Sequence, residues 1–235
     1  MQSQELILGD CLDVLPKILD KSVDIVLTDP PYGTTACKWD SIIPFKPMWK
    51  ELKRIIKDNG CIALFGSEPF SSYLRTSNIE WFKYDWYWKK SRFSNQLQAK
   101  KQPLRIIELI SIFYKKNKYY PQNLIQFNKI TKQGKKISDI VSGGTRKTQY
   151  YQEFTNYPRN VLEFKSLSNN IHPTQKPVAL LEYLIKTYTK ENDTVLDFTM
   201  GSGSTGVAAK NLNREFLGIE IDPSYFKVAE TRING

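Results

Sequence analysis

"VLDFTMGSGSTG", residues 195–206, carries an apolar run into a glycine-rich turn and then into a helical pattern. Gly201, Gly203 and Gly206 are spaced as GxGxxG, and Glu220 stands at the end of the next apolar run, "EFLGIEID". Glycines let a backbone approach a ligand closely, and an acid at the end of the following strand can hold both hydroxyls of a ribose. The stretch therefore predicts a strand, turn and helix that bind a nucleoside cofactor. A P-loop is excluded, because GxxxxGK[ST] needs a lysine and residues 202–208 contain none. A dinucleotide and an adenosyl compound such as S-adenosylmethionine both fit.

Position in the chain separates the two. Only fifteen residues follow Glu220, too few for the strands that a dinucleotide fold places after its fingerprint, so the sheet must be completed from the N-terminal half. That half has the required rhythm. "LILGD" reads as a strand, "CLDVLPKILD" as a helix broken near its start by Pro16, and "VDIVLTD" as a strand. "PFKPMWKELKRIIKDNG" reads as a helix from about Met48 to Lys57 with Asn59 and Gly60 as its C-cap, and "CIALFG" as a third strand. Strands alternating with helices argue for a parallel sheet covered on both faces. The strand ending in "TDPPY" is then expected to run parallel beside "TVLDF", with both ending at the carboxyl edge where open α/β sheets bind ligands.

"YDWYWKK" and "IIELISIFYKK" read as strands that end in solvated lysines. From about 115 to 168 the rhythm fails. The segment is polar, "KQGKK" and "VSGGT" punctuate it, and it reads as an insertion. Regular patterns return with the helix "PVALLEYLIKTYT" and the last helix "SYFKVAETRI". Residues 86–150 hold fifteen Lys or Arg against two acids, Glu108 and Asp139, within a chain of formal net charge +10. Aromatics such as Trp86, Phe93, Tyr119 and Phe127 are mixed into this segment. A basic, aromatic-rich segment suits a polyphosphate partner. Lys89, Lys90, Arg92, Lys100 and Lys101 are expected in a loop that contacts phosphates, with plain solvation as the competing reading. No run reaches the length of a membrane span and the N-terminus does not read as a secretory signal, so the expected location is cytoplasmic. Cys11, Cys37 and Cys61 form no CxxC pair, which points away from disulfides and zinc.

"DPPY" at 29–32, "HPTQKP" at 172–177 and the aspartate-plus-glycine loop resemble the β-class DNA amino-methyltransferases, the permuted group in which the catalytic motif precedes the cofactor motif. The resemblance covers nearly the whole chain. It implies an α/β fold with a Rossmann-like seven-stranded sheet, mostly parallel with an antiparallel edge, in circularly permuted motif order. It divides the chain into a catalytic half (1–114), a target-recognition insertion (115–168) and a cofactor half (169–235). Asp197, Phe198, Gly201 and Gly203 fall on the family's cofactor loop, Glu220 on its ribose acid, and Asp10 with Cys11 on its adenine contact. Asp29 borders the same cofactor site. Thr174, Gln175 and Lys176 match the turn around the methionine end, where a cation can face a carboxylate. The family loop commonly has Pro and Phe where this chain has Phe198 and Thr199, and Thr where it has Ser204.

An aromatic exocyclic amine is a poor nucleophile because its lone pair is delocalised into the ring. A carboxylate and a carbonyl that accept its two protons draw density back onto nitrogen. Asp29 and the Pro30 carbonyl can supply that pair, Pro30 and Pro31 stiffen the turn, and Tyr32 offers a face for an extruded base. Trp39 and Asp40 follow as a lid or as packing, and His172 reads as a turn residue. In the family DPPY goes mostly with adenine and SPPY with cytosine, so the expected reaction is methyl transfer from S-adenosylmethionine to the adenine N6 amine of double-stranded DNA. Methylation of the cytosine N4 amine stays open as the alternative, and a NAD-linked dehydrogenase as a remote one. Carbon-5 cytosine transfer is disfavoured because no cysteine follows a proline. A homodimer and a cognate restriction endonuclease are both compatible with the resemblance, and no metal is expected.

Overall fold

The computed structural model describes residues 3–33, 40–116, 118–132, 149–167 and 175–235. In chain order its elements are β1 (Gln4–Leu8), α1 (Cys11–Val14) continued by a 3₁₀ turn over Leu15–Lys17, β2 (Val23–Thr28), α2 (Phe45–Ile55), β3 (Ile56–Gly66), α3 (Phe70–Ser77), β4 (Phe82–Ser94) and β5 (Arg105–Phe113). Then follow β6 (Ile125–Lys132), β7 (Gln149–Thr155), β8 (Val161–Phe164), α4 (Val178–Tyr188), β9 (Thr194–Asp197), α5 (Ser204–Asn211), β10 (Glu215–Glu220) and α6 (Pro223–Asn234). None of the described helices is long and apolar enough to cross a membrane.

One sheet runs β1-β10-β9-β2-β3-β5-β4-β8. All its strands are parallel except β5, which pairs antiparallel with both β3 and β4. The expected seven-strand sheet thus gains an eighth strand, and its antiparallel edge becomes a single reversed strand set inside the sheet. β8 arises within the polar 115–168 segment. Four residues are too few to show a period, and what places β8 is its neighbour: Tyr87 N–H donates to the Asn160 carbonyl at 2.8 Å, and Trp88 Nε1 donates to the Phe164 carbonyl at 3.0 Å. Within that segment Pro121–Arg159 forms a separate compact unit that contains the antiparallel β6–β7 ribbon. Ile125, Phe127, Ile130, Tyr150 and Tyr151 of this ribbon are exposed.

Strand side chains alternate between the two faces of the sheet. Ile25 and Leu27 of β2 pack with Leu181, Leu184 and Ile185 of α4 and Ala208 of α5, whereas Val26 packs with Leu15, Met48, Leu52 and Ile55 on the other face. Both faces are buried, which is why these strands read as continuous apolar runs.

Three local expectations change. α2 starts at Phe45 and stops at Ile55, because Ile56 pairs with Val23 and becomes the first residue of β3. Asn59 and Gly60 therefore lie in a strand rather than a C-cap. A side chain at Gly60 would meet the Asp24 carbonyl at 2.8 Å, so close strand packing accounts for that glycine. Lys89, Lys90 and Arg92 belong to β4 itself, and Lys100 and Lys101 to the connection into β5.

Candidate active site

β2 and β9 lie side by side in parallel, with Ile25 opposite Val195 and Val26 opposite Leu196. Their carboxyl ends deliver the DPPY turn and the glycine loop to one edge. Three hydrogen bonds join these ends. Thr28 Oγ1 donates to Asp197 Oδ1 at 3.0 Å and accepts from Phe198 N–H at 3.2 Å, while Thr199 Oγ1 donates to the Asp29 carbonyl at 3.1 Å. A cavity of about 320 Å³ opens between the two segments.

The wall at one end includes Asp10, Cys11, Asp197, Phe198, Gly201 and Glu220. Gly201 has φ +51°, a conformation that glycine adopts at little cost. Gly203, expected as a cofactor contact, lies outside the wall. It precedes α5 at φ +77°, and a Cβ there would sit 2.9 Å from Ala229 Cβ, so its role is to let the turn pack on α6. At Gly206 a Cβ would meet Ile233 at 2.4 Å and the Phe216 ring at 2.7 Å. The GxGxxG spacing therefore encodes one cavity glycine and two packing glycines.

Glu220 is 8% exposed. Its Oε2 accepts from Gly201 N–H and its Oε1 from Asp222 N–H, each at 2.8 Å. A carboxylate has about four acceptor positions, so acceptor capacity remains for a ribose hydroxyl. Burial raises the Glu220 pKa, opposed by the Asp222, Gly201 and Ile221 amides. Asp10 caps α1 by accepting from Leu12 N–H at 2.8 Å. Burial, with the Asp10 charge beside it, pushes the Cys11 thiol up to about 12, so Cys11 contributes shape rather than a nucleophile. Asp197 is pushed up to about 7 by burial, against hydrogen bonds from the Thr205 hydroxyl, the Thr199 amide and the Thr28 hydroxyl.

The cavity wall carries Asp10, Asp29, Asp40, Asp197, Glu220 and Asp222 against Lys176. Such a wall suits a cationic sulfonium and opposes the pyrophosphate of a dinucleotide. The residues present fit S-adenosylmethionine.

At the other end stand Asp29, Pro30, Pro31, Tyr32, Gln175 and Lys176. Thr174, Trp39 and His172 lie outside the described residues. The Tyr32 hydroxyl donates to Asp29 Oδ1 through a short hydrogen bond, and its ring packs on Phe70 with centroids 5.0 Å apart. Asp40 Oδ1 accepts from Tyr32 N–H at 2.8 Å and Gly33 N–H at 2.9 Å, so Asp40 braces the turn.

Lys176, expected at the methionine end, lines the cavity and pairs with two acids. Its Nζ sits 2.5 Å from Asp29 Oδ2 and 2.7 Å from Glu108 Oε1, with 9% of its side chain exposed. It also lies over the Phe65 ring, 5.0 Å from the centroid. Two half-buried acids hold the ammonium, because leaving a partly desolvated carboxylate without a cation is costly. Burial disfavours the Lys176 ammonium, but Asp29 and Glu108 more than offset this and hold its pKa above the ordinary lysine value. Burial raises the Asp29 pKa, Lys176 opposes that, and the Glu108 charge adds to it. Tyr32 is raised well above the ordinary tyrosine value by burial and by the Asp29 and Glu108 charges. Glu108 escaped the motif reading. Its signal was a lone acid in the apolar strand "IIELISIF", inside a basic segment.

A family model described as DNA methylase matches residues 23–231. The type II methyltransferase M2.LlaDCHI of Lactococcus lactis subsp. cremoris is 31% identical over 97% of this chain and 88% of its own length. The type II methyltransferase M.HpaI of Haemophilus parainfluenzae is 28% identical over 98% and 74%. Among solved structures, the M1.HpyAVI–SAM complex superposes with a TM-score of 0.67 at 28% identity, covering 98% of this chain and 99% of that one. The PvuII cytosine-N4-specific DNA methyltransferase shares the fold at a TM-score of 0.70 and 17% identity, over 98% and 87% of the two chains. With its paired strand ends, acid-lined cavity and DPPY turn, this chain belongs to the N6/N4 DNA methylase family, the S-adenosylmethionine-dependent DNA amino-methyltransferases.

Proposed function

We propose that this enzyme methylates the N6 amine of adenine at a defined site in duplex DNA, on a base extruded into the cavity beside Tyr32. The observation that carries the reading is the carboxylate of Asp29 at the head of the turn, held from both sides by Tyr32 and Lys176. Each of its oxygens retains a second lone pair. Asp29 accepts one amine proton and the Pro30 carbonyl the other, which localises the nitrogen lone pair. When bound, S-adenosylmethionine supplies the electrophilic methyl group. The type II naming of the relatives supports a restriction-modification setting for this chain. DNA treated with the enzyme, digested to nucleosides and weighed by mass spectrometry should yield N6-methyladenine. N4-methylcytosine in its place would overturn the choice of base.

The DNA path follows from strand direction. β4 runs parallel to β2 and β3, so its far end, Lys89 to Ser94, projects past the carboxyl edge that holds the cavity. Between Lys89 and Arg105 the chain has six basic residues and no acid, and Leu97 at the tip is 99% exposed. Of these cations, Arg92, Lys100 and Lys101 contact phosphates beside the extruded base, and the Pro121–Arg159 unit supplies base contacts. Replacing Lys100 and Lys101 together with Gln should flatten the slope of log affinity against log salt by about two, because each phosphate contact contributes about 0.9. Cofactor affinity should not move. An unchanged salt slope would remove this hairpin from the DNA path.

A further inference from the structure

Methylation of an amine releases one proton, because the nitrogen forms a bond to carbon while the S–C bonding pair returns to sulfur. The cavity must accept that proton. Asp29 and Glu108 lie on either side of one ammonium, with Lys176 Nζ 2.5 Å from the first and 2.7 Å from the second. The Tyr32 hydroxyl touches both, donating to Asp29 and standing 3.5 Å from Glu108 Oε1. Lys90 approaches Glu108 Oε2 from the outer side at 3.7 Å. Among the described residues, Asp197 on β9 is a further ionisable neighbour of Asp29, which acts on it as a like charge.

We propose that Glu108 is a positioning residue for the transfer: by sharing Lys176 with Asp29 it keeps the lysine from neutralising Asp29, which then takes the proton the amine gives up. The inference rests on the amine-holding role of Asp29. Asp29, Glu108 and Lys176 together carry one surplus negative charge, which Lys90 answers only at the far oxygen of Glu108, 3.7 Å away. If Lys176 served Asp29 alone, the pair would be neutral and Asp29 a poor acceptor. With Glu108 drawing on the same ammonium, Asp29 stays both anionic and proton-hungry, in keeping with the upward push that the Glu108 charge exerts on it. Once protonated, Asp29 leaves a neutral Glu108–Lys176 pair behind, so the product state is not left with an unpaired buried cation.

The test uses full-length enzyme with cofactor and duplex DNA in single turnovers across pH. Glu108→Gln keeps the shape and removes the charge. Its plateau rate should fall about tenfold, a part of what a positioned acid–base group contributes, and its acidic limb should move to lower pH by about one unit. Lys90→Met removes a cation from Glu108 and should move the limb the opposite way, which keeps the proposal testable if Glu108→Gln fails to fold. A second readout needs no turnover: the infrared carboxylic-acid band that Asp29→Ala deletes should titrate at lower pH in Glu108→Gln and at higher pH in Lys90→Met. A rate loss with the limb and the band unmoved would make Glu108 merely structural and overturn the proposal, as would shifts of the same sign in both variants. If Asp29→Ala itself retains turnover, the underlying role of Asp29 falls. If Asp29→Ala is inactive while the limbs stay put, only the role of Glu108 falls.

Discussion

Asp29→Ala is expected to lower single-turnover methyl transfer by at least about a thousandfold, while cofactor affinity stays within a few-fold of wild type. The two readouts part company because of where the carboxylate sits. Asp29 follows β2 and is held by Tyr32 and Lys176, whereas Glu220 and Asp10, the groups expected at ribose and adenine, end β10 and follow β1 on the other side of β9. Truncation removes the acceptor that localises the amine lone pair and the group that takes its proton. It also leaves Lys176 with Glu108 at 2.7 Å, so the buried ammonium keeps a partner and the fold should survive. Isothermal calorimetry with S-adenosylmethionine and rapid-quench transfer assays measure the two quantities. Turnover near the wild-type rate would refute the role given to Asp29. A loss of cofactor binding in step with rate would mean that Asp29 serves the cofactor instead.

The sequence exposed those parts of this site that are written in strand ends. β2 and β9 each finish in a polar residue after apolar ones, and they pair side by side in parallel. Glu220 was legible for the same reason, at the end of β10. What sequence could not carry was register and direction. Glu108 lies mid-strand, and only the antiparallel insertion of β5 between β3 and β4 brings it to Lys176. Lys176 itself was legible as a cation near the site but not in its partners, since a lysine stem can reach several. The glycines show the converse limit. Gly203 and Gly206 satisfy a binding fingerprint in spacing, yet their neighbours Ala229, Ile233 and Phe216 come from α6 and β10, so their necessity is one of packing. β8 was hidden because a strand of four residues takes its stability from its partner rather than from its own pattern.

Glu220→Ala should weaken S-adenosylmethionine binding by about a hundredfold or more, a larger effect than one hydrogen bond to a ligand would produce. The carboxylate holds the site in two ways. Its acceptor positions facing the cavity fit the ribose hydroxyls, and the loss of a charged acceptor there costs about 1.5–3 kcal/mol, or roughly ten- to a hundredfold. Its other positions fix Gly201 N–H and Asp222 N–H at 2.8 Å each. The first bond shapes the glycine loop, and the second sets the residue that caps α6 by accepting from Ser224 N–H at 2.8 Å. Alanine releases both amides at once, so the loop must be ordered anew when ligand binds, and that cost adds to the lost contact. Glu220→Gln separates the two contributions. Its carbonyl can still accept from one amide, but its NH₂ faces the other as donor against donor, so its affinity should fall between those of wild type and alanine. Calorimetry gives all three dissociation constants, and fluorescence anisotropy with a labelled duplex should show DNA affinity unchanged. If Glu220→Ala binds S-adenosylmethionine within threefold of wild type, the ribose contact lies elsewhere and Glu220 only supports the loop.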